Sequence, residues 1–205
     1  MLPEAELKVT LGEIAPISLH GPFSRCVAFQ HLVSKPGPGS PPGKPKPLWG
    51  LGSATSGARF TPRGSFETVY LAEDPITALA EVAGVFMHPQ APTITLLAQP
   101  WVIIAIRGIL LSVLDLTNSD VMARLGSNRQ ELTGAWRLAE AETGNAPTQM
   151  LGRACYKSGR FDAIRYFSSK NSPTGICLAV FADRLIGAAF IEVYDPNGNL
   201  VQRIP

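Results

Sequence analysis

GARFTPRGSFETVYLAEDPITALAEV, residues 57–82, is the stretch on which the reading of this chain turns. Glu67–Ala72 alternates polar and apolar side chains and predicts a strand. Asp74-Pro75 then starts a helix, Asp as N-cap and Pro at the first helical position. That helix is expected to run to about Met87, where His88-Pro89 ends it. Over PITALAEVAGVFM it is apolar on nearly every face, with Glu81 its only charged residue and Thr77 its only other polar one. A helix of that kind belongs in the interior, and a buried carboxylate needs a partner or a task. Glu81 lies about 140° around the helix from Ile76 and away from the Leu79, Ala80, Ala83 stripe. Periodicity alone therefore favours Glu81 as the wet side of a half-buried helix. Arg59 stands in a Gly-rich loop, where backbone can approach an anion and a guanidinium can grip it bidentately; alone, it reads first as half of a surface ion pair. Tyr70 ends the strand and, by itself, reads as a core or rim tyrosine.

Upstream, Val9–Leu19 reads as a strand or two broken at Pro16, and Phe23–Leu32 as another strand. Ser34–Pro47, SKPGPGSPPGKPKP, is too rich in Pro and Gly for a ladder or a helix and reads as a long surface loop. Downstream, strands are expected at Thr93–Leu97, Val102–Arg107 and Leu110–Leu114, and helices at Asn118–Leu125, Glu131–Glu142 and Thr148–Lys157. The second of these helices carries an apolar stripe of Leu132, Ala135, Trp136 and Ala139. Strands follow at Ala163–Phe167, Ile176–Phe181, Ala189–Tyr194 and Leu200–Ile204, with Pro196-Asn197-Gly198 as a hairpin turn. Strands at both ends with helices grouped between them give an α+β fold rather than a doubly wound one. The 205 residues suit one domain spanning residues 1–205.

A second polar constellation follows the strand at Ala163–Phe167, where Ser168-Ser169-Lys170-Asn171 offers hydroxyls and a cation; polar turns of this kind are common. The net charge of +2, with no basic stripe, argues against direct nucleic-acid binding. Cys26, Cys155 and Cys177 lack the spacing of a disulfide framework or a zinc knuckle and read as reduced thiols. His20, His31 and His88 are isolated, so no metal site is expected. The N-terminus has no signal-peptide core, and Trp101–Leu116 is too short and too interrupted to span a membrane, so the default location is cytoplasmic. Neither GxGxxG after a strand nor a P-loop occurs.

Gly57–Val82 and FDAIRYFSSKNSPTGICLAVF, residues 161–181, together resemble the RES family, over roughly Phe23 to Phe181. The resemblance implies an ADP-ribosyltransferase-like mixed β-sheet core with flanking helices. It implies an enzyme that breaks the nicotinamide–ribose bond of NAD as a glycohydrolase or phosphorylase, with NAD as substrate, phosphate as an optional co-substrate and no cofactor. The family's arginine falls on Arg59, its strand-end tyrosine on Tyr70 and its helix glutamate on Glu81, at equal intervals of 11 residues. Its serine falls on Ser168 and an earlier arginine on Arg25. Arg59, Tyr70 and Glu81 are thereby implied as catalytic, and Arg25, Arg59, Tyr70, Ser168 and Lys170 as NAD-binding. Lys170 stands where the family has an arginine, which keeps the charge but loses the fork. The family's members are typically toxins paired with an Xre-like helix-turn-helix antitoxin, which implies such a partner here and leaves room for a homo-oligomer. Protein-directed ADP-ribosyl transfer, or an inactive NAD- or ADP-ribose-binding module, are the alternatives.

Overall fold

The computed structural model describes residues 1–32, 45–83, 87–88, 91–92 and 100–205. The expected Thr93–Leu97 strand and nearly all of the proline-rich loop lie outside these residues. In chain order the elements are α1 (Glu4–Glu13), β1 (Ile17–His20), β2 (Phe23–Ala28), α2 (Phe29–Leu32), α3 (Leu51–Ser56), β3 (Val69–Ala72), α4 (Pro75–Ala83), β4 (Met87–His88), β5 (Ala91–Pro92) and β6 (Trp101–Asp115). They continue as α5 (Ser119–Arg124), α6 (Arg129–Thr133), α7 (Trp136–Thr143), α8 (Pro147–Ser158), β7 (Ala163–Phe167), β8 (Ile176–Val180), β9 (Phe190–Val193) and β10 (Arg203–Ile204). The fold is α+β, as the patterning predicts.

One eight-stranded sheet runs β10-β9-β6-β2-β3-β8-β7, with β1 also on β6. β6 organises it. Its first half pairs antiparallel with β2 and its middle with β9 and β1, and its last residues run parallel to β7. Because β7 pairs with β8, β8 with β3 and β3 with β2, the pairings return to β6 and close a circuit. The two strands expected within residues 102–114 are thus one strand of 15 residues. Gly108 does not end it. A side chain there would press on the Phe190 carbonyl, so the glycine permits the close approach of β9 instead.

Alternation along the strands divides the core into two apolar clusters. Val69 and Leu71 of β3, with Leu178 and Val180 of β8, enter one. Ala72, Cys177 and Ala179 point the other way and join the helices. Tyr70 packs against that second cluster.

Four sequence expectations are corrected. Residues 4–13 form helix α1, not a strand from Val9. Leu7, Leu11 and Ile14, spaced at helical intervals, are buried in the same cluster as α8, while Val9 points to solvent. The expected strand to Leu32 gives way at Phe29 to the helical turn α2. The expected helix at Glu131–Glu142 is two short helices, α6 and α7, separated at Gly134 and Ala135. Helix α4 is described to Ala83 and Met87 belongs to strand β4, so the helix does not reach Met87. No helix among the described residues is long and apolar enough to cross a membrane.

Candidate functional site

A cavity of about 740 Å³ opens between β2, β3, α4 and the α6–α7 segment. That volume lies within the range of small-molecule sites. Arg25, Arg59, Tyr70, Glu81 and Lys170 all line it, so five of the six sequence-proposed site residues converge although they span more than half the chain. The sixth, Ser168, is fully buried behind the wall and touches the site through Glu81.

Glu81 is placed by α4. Asp74 caps that helix, accepting from Thr77 N at 2.8 Å and from Thr77 Oγ1 at 2.5 Å. Thr77 Oγ1 in turn accepts from Asn171 Nδ2 at 2.7 Å, which ties α4 to the turn after β7. Ile76 faces solvent and Glu81 faces the cavity, as their angular separation requires. Glu81 Oε1 accepts from Ser168 Oγ at 2.5 Å and from Ser169 N at 3.2 Å. Ser168 Oγ itself accepts from Lys170 N and Asn171 N, so the hydroxyl has its proton aimed at the carboxylate. The sequence-level role of Ser168 as a direct ligand thus becomes, in geometry, a hold on Glu81.

Arg59 is 8% exposed, and its fork is largely engaged. Nη1 donates to the carbonyls of Leu132 at 2.8 Å and Gly134 at 3.0 Å, and Nη2 donates to Ser169 Oγ at 3.0 Å. The loop bearing it rests on α8. Gln149 Nε2 donates to the carbonyls of Ala58 and Thr61, and Gly152 lies directly under the Phe60 carbonyl. Tyr70 OH accepts from Phe60 N at 3.0 Å and shares a hydrogen bond with Thr61 Oγ1 at 3.0 Å. Burial pushes its phenol up to about 12. Tyr70 therefore stays neutral, with its hydroxyl holding the arginine loop and its ring lining the cavity.

Arg25 differs from Arg59 in being under-partnered. Its Nη2 donates to the Trp49 carbonyl at 2.8 Å, but Nε and Nη1 are shielded from solvent and bonded to nothing among the described residues. Desolvation pulls its pKa down to about 10. A shielded guanidinium with idle donors on a cavity wall is arranged to receive an anion. Cys26 and Cys177 also reach the wall, and burial raises both thiols, Cys177 well above its ordinary value with Glu81 adding to the effect. They are protonated wall atoms, not nucleophiles.

Sequence reasoning missed Ser24 and the segment Thr133–Arg137, and named Ser169 only as part of a polar turn. By periodicity Trp136 belongs to the apolar stripe of a single helix. The break at Gly134 turns it to the cavity, with the Arg137 guanidinium 4.4 Å from its ring centroid. The signal that could have found it is the glycine between two helical patterns.

A family model described as RES domain matches residues 38–201. A comparison with curated proteins finds no match. Among solved structures, the fold is similar to a chain in the crystal structure of the M. tuberculosis MbcT–MbcA toxin–antitoxin complex. The TM-score is 0.65 at 15% identity, covering 93% of this chain and 90% of that one.

Proposed function

Because the chain belongs to the RES-domain family, we propose that it degrades NAD by breaking the nicotinamide–ribose bond, and that it acts as the toxin of a toxin–antitoxin pair. The observation that carries the reading is Glu81: a carboxylate on an apolar helix, fixed by Ser168 and Ser169 on one oxygen and facing the cavity that Arg25 and Arg59 also line. The leaving nicotinamide takes the bonding pair and becomes neutral, so no acid is needed. Positive charge grows on the ribose, and a pre-oriented carboxylate stabilises it without reorganising. Arg25, with donors to spare, grips the pyrophosphate, and Arg59, which lines the same cavity, supports it. Tyr70 packs its ring on the nicotinamide ribose. Lys170 adds positive charge to the cavity lining for the pyrophosphate or an incoming phosphate. The ribose cation is then captured by water, which gives up a proton to solvent, or by phosphate. Likeness to a chain of a toxin–antitoxin complex supports an antitoxin partner, for which an Xre-like helix-turn-helix protein is our proposal.

The test is Glu81→Gln. Purified wild type should consume NAD, and the variant should lose about 100- to 1000-fold in kcat, the range for removing one electrostatic stabiliser. Expression of the wild type should lower cellular NAD and slow growth, and the variant should do neither. A variant within a few-fold of wild type would remove Glu81 from the mechanism. A folded wild type that leaves NAD intact would remove the activity itself.

A further inference from the structure

The wall of the cavity has an order. Glu81 Oε1 accepts from Ser169 N, and Ser169 Oγ accepts from Arg59 Nη2. Arg59 Nη1 donates to the Gly134 carbonyl, and that carbonyl also accepts from Trp136 N at 2.9 Å. Carboxylate and guanidinium are therefore linked through Ser169, and the guanidinium is linked through the Gly134 carbonyl to the backbone N–H of Trp136, which lines the same cavity. A dinucleotide has the same order: a glycosidic bond to be cleaved, two phosphates, then a second nucleoside ending in a flat base.

We infer that Trp136 is the stacking platform for the adenine end of the dinucleotide; the inference rests on the NAD reading above. Trp136 is only partly buried, and Trp49 and Trp101 do not line the cavity. The Arg137 guanidinium lies over its ring, a cation–π contact that fixes the ring plane. The backbone of Trp136 is held by Gly134, which Arg59 also holds, so the platform and the phosphate-side arginine are set by one carbonyl. Stacking is tolerant of base identity, so Trp136 supplies affinity for a base without reading its edge. Substrates lacking the second nucleoside forfeit that contact.

The experiment compares Trp136→Phe and Trp136→Leu with wild type by calorimetric titration of NAD and of nicotinamide mononucleotide, in the Glu81→Gln background and with thermal melts to show that each is folded. Leu keeps an apolar side chain of useful size but removes the ring. Trp136→Leu should bind NAD about tenfold more weakly, the low end for one stacked base, and Trp136→Phe should recover most of that loss. The NAD-over-mononucleotide preference should fall by the same factor in Trp136→Leu. Equal NAD affinities for the Phe and Leu variants would overturn the stacking role. An equal loss on both ligands would assign Trp136 to the nicotinamide end and overturn the inference while leaving NAD cleavage standing. Absence of NAD binding in the background protein, together with absence of NAD consumption by wild type, would defeat the underlying reading as well.

Discussion

Ser168 decides how the carboxylate is presented. Its hydroxyl is saturated: it donates to Glu81 and accepts two backbone N–H groups. Ser168→Ala leaves those two amides without an acceptor and frees Glu81 on one side, a loss of about 1–3 kcal/mol in stability for the buried donors. We expect kcat for NAD to fall at least about tenfold with KM nearly unchanged, measured by steady-state kinetics at a temperature where the variant is fully folded. A rise in KM with kcat intact would return Ser168 to a ligand's role. The roles of Arg59, Tyr70 and Glu81 were legible only as a constellation. Alone, each residue type has a commoner structural use, and two of them combine structural hydrogen bonds with a place on the cavity wall. Arg59 is bonded to three acceptors and Tyr70 to the arginine's own loop, while both line the cavity. Ser168 was legible as important but not as buried, because a polar turn after a strand gives no sign of which hydroxyl points inward.

Helix α8 is the buttress of the site. Its Gly152 meets the Phe60 backbone so closely that an added methyl group would overlap the Phe60 carbonyl. Gly152→Ala should therefore push the Arg59 loop off the helix. Although alanine favours helices, overpacking here should cost about 1–3 kcal/mol, which for a chain of this size is roughly 2–12 °C in Tm, and NAD turnover should drop with it. Calorimetric melts and kinetics on the same preparation would check this; a more stable, fully active variant would show that the contact is slack. Among the elements, β7 and the start of α4 were readable because alternation and the Asp-Pro signal are local. Helix α1 was not. Val9 and Thr10 favour strands, and what makes the segment helical is Leu7, Leu11 and Ile14 docking into a core shared with α8, over 130 residues away in sequence. The continuity of β6 was equally hidden, since Gly108 punctuates a sequence unless the approach of β9 is known.

At the scale of the molecule, Asp162 joins three strands. Its N–H donates to the Ser112 carbonyl and its own carbonyl accepts from Phe181 N, while Oδ2 accepts from Leu111 N and Ser112 N. It sits where β6 hands over to β7 and the circuit closes. Burial raises its carboxyl above the ordinary 3.8, an effect that these N–H donors only partly offset. A raised value means that the folded chain holds this proton more tightly than the unfolded one. Its stabilising contribution is then fully present below 3.8 and is lost as pH rises through the raised value. Asp162→Asn does not titrate. Between about pH 3.5 and pH 7 the wild type should therefore lose thermal stability relative to Asp162→Asn. Melts across that range that stay parallel would show that Asp162 ionises in the fold as it does in water.

The hydrogen bond between Glu81 and Ser168 spans 87 residues of chain. Translation runs from the N-terminus at about 5–20 residues per second, so the ribosome makes the acid roughly 4–17 s before it makes the serine that aims it. Strand β8, which β3 needs as a neighbour, comes later still. A nascent chain therefore carries its glutamate unaimed through that interval, and the carboxylate is fixed only when the last strands of the circuit have emerged.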